Sequence, residues 1–162
     1  MRDSIDMSKK IYYSIVGLCA TIIMANSIET FLKVKDNGMF ELWFSNPNLA
    51  TEIVGKSSEE AYSIYLTMCL SIFFIRVIAP IALAINTYFA FVKLRVSKLF
   101  VQIWVVLLIG LFAFTTVGET FYSIFFIIGS IAYLGLVIIM ICQWKEINRK
   151  MNEQVIESIQ KV

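Results

Sequence analysis

Four long apolar runs decide what this chain can fold into. About 20 apolar residues cross roughly 30 Å of hydrocarbon as a helix. Hydrocarbon offers no water to replace a missing partner, so every backbone N–H and C=O in such a run must be paired. Helices do this within one segment, and they are the expected form of these runs. The runs cover residues 11–32, 61–92, 99–117 and 121–144. The second is longer than a bilayer requires and is expected to tilt, kink or project. The chain is 59% hydrophobic with a mean hydropathy of +0.77, where soluble domains are nearer half apolar. The expected fold is an all-α integral membrane protein, a four-transmembrane-helix bundle forming one domain of 162 residues.

Helix starts are legible at two places. Ser57-Ser58-Glu59-Glu60 reads as a capping box, with Ser57 as cap and Glu60 three residues on. Thr116-Val117-Gly118-Glu119 reads the same way for the fourth helix and implies a tight hairpin with the third. Past the fourth run, residues 145–162 form a polar tail in which Trp144, Ile147, Met151, Val155, Ile159 and Val162 recur at three- and four-residue spacing. That is one apolar stripe on a helix, expected as a separate amphipathic segment. It must be covered by the membrane surface, by the short loop beside it or by a partner helix. The other sizeable polar segment, residues 34–58, carries Met39-Phe40-Glu41-Leu42-Trp43-Phe44 and then Asn46-Pro47-Asn48. It reads either as an interfacial segment with aromatics at headgroup level or as a lid or docking surface. No internal repeat is visible, so an inverted-repeat transporter design is not supported.

Positive charge sets the orientation. Arg2, Lys9, Lys10, Lys93, Arg95, Lys98, Lys145, Arg149, Lys150 and Lys161 would lie on one side of the bundle, and only Lys33, Lys35 and Lys56 on the other. Both termini are therefore expected in the cytoplasm. The short loops, and the absence of a glycosylation sequon in the outer one, suggest a prokaryotic plasma membrane. A competing reading makes residues 2–27 a cleaved signal peptide ending at Ala25-Asn26-Ser27. Against it, the apolar run continues through Ile28, Phe31 and Leu32.

Composition removes several kinds of chemistry. With no histidine, the commonest general base and metal ligand are absent. Cys19, Cys69 and Cys142 fall at different depths without zinc spacing and are expected as small buried hydrophobes. A net charge of +2, spread between apolar runs, gives no basic patch for nucleic acid. No cofactor or metal is implied, and no enzyme. A membrane-embedded enzyme would have to set Glu29 and Glu119 to acid–base work without a nucleophile motif.

One residue stands apart. Arg76 lies near the midpoint of the second run, where insertion scales charge about 2.5–3.5 kcal/mol for arginine. Pro80, four residues on, has no N–H, so the Arg76 carbonyl loses its helical partner and a kink is expected. The candidate counter-charge is Glu29 on the first helix, on one face with Asn26 but about 10 Å nearer the outer end. These residues predict a polar vestibule opening outward, lined by Glu29 and Glu119 and floored by Asn26 and Arg76. Asn86, Thr87 and Gln102 sit further in, where they extend a polar path or tie helices together. Gly17, Thr21 and Ala25 form a small-residue ridge suited to close packing on another helix.

Two functional readings follow. The first is an accessory or interaction subunit of a larger membrane assembly, with Arg76 paired inside the chain or with the partner. The second is an oligomeric transporter or channel component built around Arg76 and Glu29. Both imply the lipid bilayer and either further copies or a larger membrane protein as partners, with a possible partner helix along Ile147, Met151, Val155 and Ile159.

Overall fold

A computed structural model describes residues 4–5, 7–45, 55, 57–92, 96–116 and 123–160. Among the described residues the chain is all-α apart from one small ribbon. The described helices are α1 (Lys9–Lys35), α2 (Asn37–Phe44), α3 (Ser58–Val92), α4 (Lys98–Thr116) and α5 (Ile124–Gln160). Three of them are long and apolar enough to cross a membrane: α1, α3 and the Ile124–Glu153 part of α5. In α4 the apolar stretch is shorter, Lys98–Phe114.

Capping chemistry sets several helix starts. The Ser8 hydroxyl accepts from the Ile11 N–H and opens α1. At α3 the expected capping box is formed in both directions: Ser57 N–H donates to Glu60 Oε2 at 3.0 Å, and Glu60 N–H to Ser57 Oγ at 3.3 Å. The helix expected to start at Thr116 does not start there, and Glu119, the other half of the expected box, lies outside the described residues. Instead α4 runs on through Thr116, whose hydroxyl donates back to the Phe112 carbonyl, and Ser123 caps α5 by accepting from the Phe126 N–H at 3.0 Å. Both serine and threonine suit a cap, and the local pattern did not reveal which one the chain would choose.

Two further boundaries differ from expectation. The fourth apolar run and the tail are one unbroken helix of 37 residues, about 55 Å long at 1.5 Å per residue. No Gly or Pro separates Trp144 from the tail, and two pairs one turn apart, Lys150–Glu146 at 2.9 Å and Arg149–Glu153 at 3.7 Å, bridge the polar face. The segment after α1 is partly helical: Asp36 ends α1 and caps α2, its Oδ1 accepting from the Gly38 N–H at 2.9 Å.

Packing places α1 at the centre, against α3 on one side and α5 on the other, while α4 lies on α5 and touches α3. Ile15, Cys19 and Ile22 of α1, Leu83 of α3 and Leu136 and Met140 of α5 are buried along this seam. At one end, β1 (Ser4–Ile5) pairs antiparallel with β2 (Val96–Ser97), so the chain before α1 is tied to the link between α3 and α4. Met7, Val96, Val101 and Ile147 are buried at that end. The tail stripe is therefore covered from within at its start, since Ile147 is fully buried and Met151 packs on the core. The side chains of Val155 and Ile159 lie outside the described residues.

At the opposite end α2 folds its aromatics onto α3. Phe40 meets Tyr62 and Tyr65 edge-on at 5.2 and 5.6 Å, and Trp43 lies 5.4 Å from Tyr65. The two tyrosines also donate to the last carbonyls of α1, Tyr65 to Lys33 at 2.9 Å and Tyr62 to Val34 at 3.3 Å. Those carbonyls have no helical donor of their own.

The small-residue ridge divides. Ala25 is buried, whereas Gly17 and Thr21 are exposed. Four-residue steps drift by about 40° each on a 3.6-residue helix, so eight residues carry the ridge off the packed face. Cys19 and Cys69 are buried, Cys142 is exposed against expectation, and none of the three is in a disulfide.

Candidate functional site

Arg76 and Glu29 are both buried, at 6% and 2% exposure, so neither charge faces lipid. Arg76 Nη1 lies 3.6 Å from Glu29 Oε1. The separation in depth expected from helix position is closed by the long arginine side chain, which reaches toward the end of α1. Lys33, one turn further along α1, brings its Nζ to 2.8 Å from the same oxygen. The Arg76 guanidinium also lies over the Phe126 ring, 5.5 Å from its centroid, in reach of a cation–π attraction. Among the described residues one carboxylate, two cations and an aromatic face thus form a cluster joining α1, α3 and α5, buried at Arg76 and Glu29 and partly exposed at Lys33.

Pro80 sits inside α3 without ending it. The carbonyl it releases, that of Arg76, accepts a 2.7 Å hydrogen bond from the Tyr133 hydroxyl of α5. The proline therefore turns a backbone acceptor sideways into a helix–helix contact. Tyr133 was not among the residues the sequence singled out. Its signal was a lone phenol in the middle of an apolar span, since a buried tyrosine hydroxyl needs a partner.

Asn26 is buried too, but its amide donates to the Ile22 carbonyl of its own helix at 2.8 Å. It meets Arg76, Ser130 and Tyr133 around a cavity of about 10 Å³, room for about one water molecule. A second, open cavity of about 520 Å³ lies at the α2 end of α1, lined by Glu29, Lys33, Lys35, Asp36, Met39 and Ser123. The expected vestibule is thus divided. Glu29 borders the large cavity, Asn26 and Arg76 border the small one, and the ion pair links the two walls. Glu119 lies outside the described residues.

No protein-family model, curated protein or solved structure matches this chain.

Of the two alternatives for the inner polar residues, a polar path or ties between helices, Asn86 and Gln102 take up neither among the described residues. Asn86 and Gln102 are exposed on the outer faces of α3 and α4, and the Asn86 amide is spent on the Ala82 carbonyl at 2.8 Å. Thr87 is fully buried, as is Gln143 of α5, which sequence reasoning passed over because it stands beside the polar tail. Among the described residues no three metal-binding side chains come together.

Proposed function

We propose that this chain is a small polytopic membrane protein that serves as an accessory or interaction subunit of a larger membrane assembly. The observation carrying this reading is the internal closure of its buried charges. Arg76 meets Glu29, its carbonyl meets Tyr133, and the cavity beside them admits about one water. A conduit needs a wetted polar path from end to end. Here Asn86 and Gln102 face outward, the inward-facing Thr87 and Gln143 are sealed from solvent, and the ribbon end is filled by apolar side chains. Charges used this way hold three helices together and leave the exterior apolar, as in Phe74, Ile78, Val106 and Ile131.

In this reading α4 is the fourth crossing helix. Its 19 residues reach about 28 Å, near the hydrocarbon thickness, and it lies along α5. The ribbon end faces the cytoplasm, in keeping with the ten lysines and arginines assigned to that side against three on the other. A prokaryotic plasma membrane is the expected host.

The test has two arms. Purification from native membranes into nanodiscs is expected to return a stoichiometric complex with a larger membrane protein. The chain reconstituted alone in liposomes is expected to pass neither anions nor cations above empty vesicles. Flux through the isolated chain that Arg76→Gln abolishes would overturn the accessory reading. It would favour an oligomeric transporter or channel component, which the open cavity beside Glu29 supports.

A further inference from the structure

On the exposed faces of α1 and α3, polar side chains bond back onto their own helices. Thr21, Ser27, Thr67, Ser71 and Asn86 each donate to the carbonyl one turn earlier. The Gln102 amide, exposed on α4, makes no hydrogen bond among the described residues. It lies four residues past Lys98, about 6 Å into a helix whose whole length of about 28 Å barely matches the hydrocarbon. An amide held there without a partner is costly. Gln102 also stands in a stripe. Leu99, Gln102, Val106, Ile109 and Ala113, in steps of three and four, are exposed on the side of α4 turned away from the buried Trp104 and Leu108. Val106, at 70%, is the most exposed large apolar side chain among the described residues. The spacing is that of a coiled-coil seam, in which a single polar residue fixes register and the number of helices.

We propose that α4 pairs with α4 of a second copy of this chain along this stripe, with the two Gln102 amides hydrogen-bonded to each other. Copies inserted in the same orientation are related by a two-fold axis along the membrane normal, which brings identical residues together at identical depth. An amide carries both donors and an acceptor, so it answers its own copy, each side chain giving one N–H and receiving one. A different membrane protein would have to present a polar group of its own at that depth. The proposal rests on the reading that α4 crosses the membrane and not on the accessory role, whose tests of partner recovery and flux do not enter this one.

Energy transfer between donor- and acceptor-labelled full chains in liposomes, read across lipid-to-protein ratios, gives the affinity of the pair. Wild type is expected to pair, and Gln102→Leu to pair about tenfold more weakly, as two interhelical hydrogen bonds imply. Because Gln102 touches nothing within its own chain, the unfolding temperature is expected not to fall. Disulfide trapping in native membranes, in a Cys142→Ser background, locates the contact. Val106→Cys and Ala113→Cys are expected to give a covalent dimer of two copies, and Phe74→Cys and Ile131→Cys none. Val106→Cys is also expected to resist a water-soluble maleimide. Labelling there would take α4 out of the membrane and overturn the crossing reading together with the proposal, whereas protection without pairing overturns the proposal alone. Pairing of Gln102→Leu as tight as wild type, or trapping of Val106→Cys to a larger protein instead of a second copy, would overturn it too.

Discussion

Arg76 and Glu29 each carry a charge that hydrocarbon penalises, and each makes the other tolerable. Removing one partner of a buried pair strands the other, at about 3–5 kcal/mol, whereas replacing both with apolar residues is often neutral. Arg76→Leu is therefore expected to lower the unfolding free energy by about 3 kcal/mol. The lower end of the range applies because Lys33 stays beside Glu29 at 2.8 Å. The double variant Arg76→Leu/Glu29→Leu is expected within about 1 kcal/mol of wild type, measured by reversible unfolding in bicelles. A double variant as unstable as the single one would show that the two charges do not act as a unit. Tyr133 and Pro80 are coupled through a carbonyl. Tyr133→Phe strands the Arg76 oxygen and is expected to cost about 1–3 kcal/mol. In a Pro80→Ala background the helix supplies an N–H to that oxygen, so the same substitution is expected to cost clearly less. A double-mutant cycle reads the difference directly. The arginine, the proline and the orphaned carbonyl were legible in the sequence, because charge cost and a missing N–H are local facts. The phenol that answers the carbonyl was not, because it stands 57 residues away on another helix.

At the scale of elements, local chemistry was a good guide where one cap had no rival. The Ser57 box formed as written, whereas the helix expected to start at Thr116 is capped at Ser123. The tail is the sharper case. A break was expected at the membrane edge from the change in composition at Lys145, but composition does not end a helix; Gly, Pro or a cap does. The continuity of α5 carries Ile147 into the core at the ribbon end, where it is fully buried. Ile147→Ala is accordingly expected to cost about 2–5 kcal/mol of unfolding free energy, the usual range for a buried large aliphatic residue. A surface-lying amphipathic helix detached from the core would lose far less, so the same unfolding experiment separates the two arrangements.

For the whole molecule, the ribbon is the informative contact. It ties the chain before α1 to the α3–α4 link, so both belong to one end of the structure. In the proposed orientation that end faces the cytoplasm. Reporter fusions after residues 95 and 162 are expected to be active only as cytoplasmic reporters, and insertions within residues 46–50 only as external ones. The reverse pattern would invert the proposed orientation and place the Glu29 cavity in the inner leaflet.

By itself the sequence determined the apolar helices, the start of α3 and the identity of the costly charge. Each follows from backbone hydrogen bonding, side-chain capping or desolvation, and these act within a few residues of their cause. Only the tertiary structure decided that Arg76 reaches Glu29 directly, that Tyr133 takes the carbonyl Pro80 releases, and that Asn86 and Gln102 turn outward while Thr87 and Gln143 turn in. Those outcomes depend on how α1, α3, α4 and α5 are rotated against one another. A helix's own periodicity marks which residues share a face, but when nearly every face is apolar it does not say which face the neighbouring helices will cover.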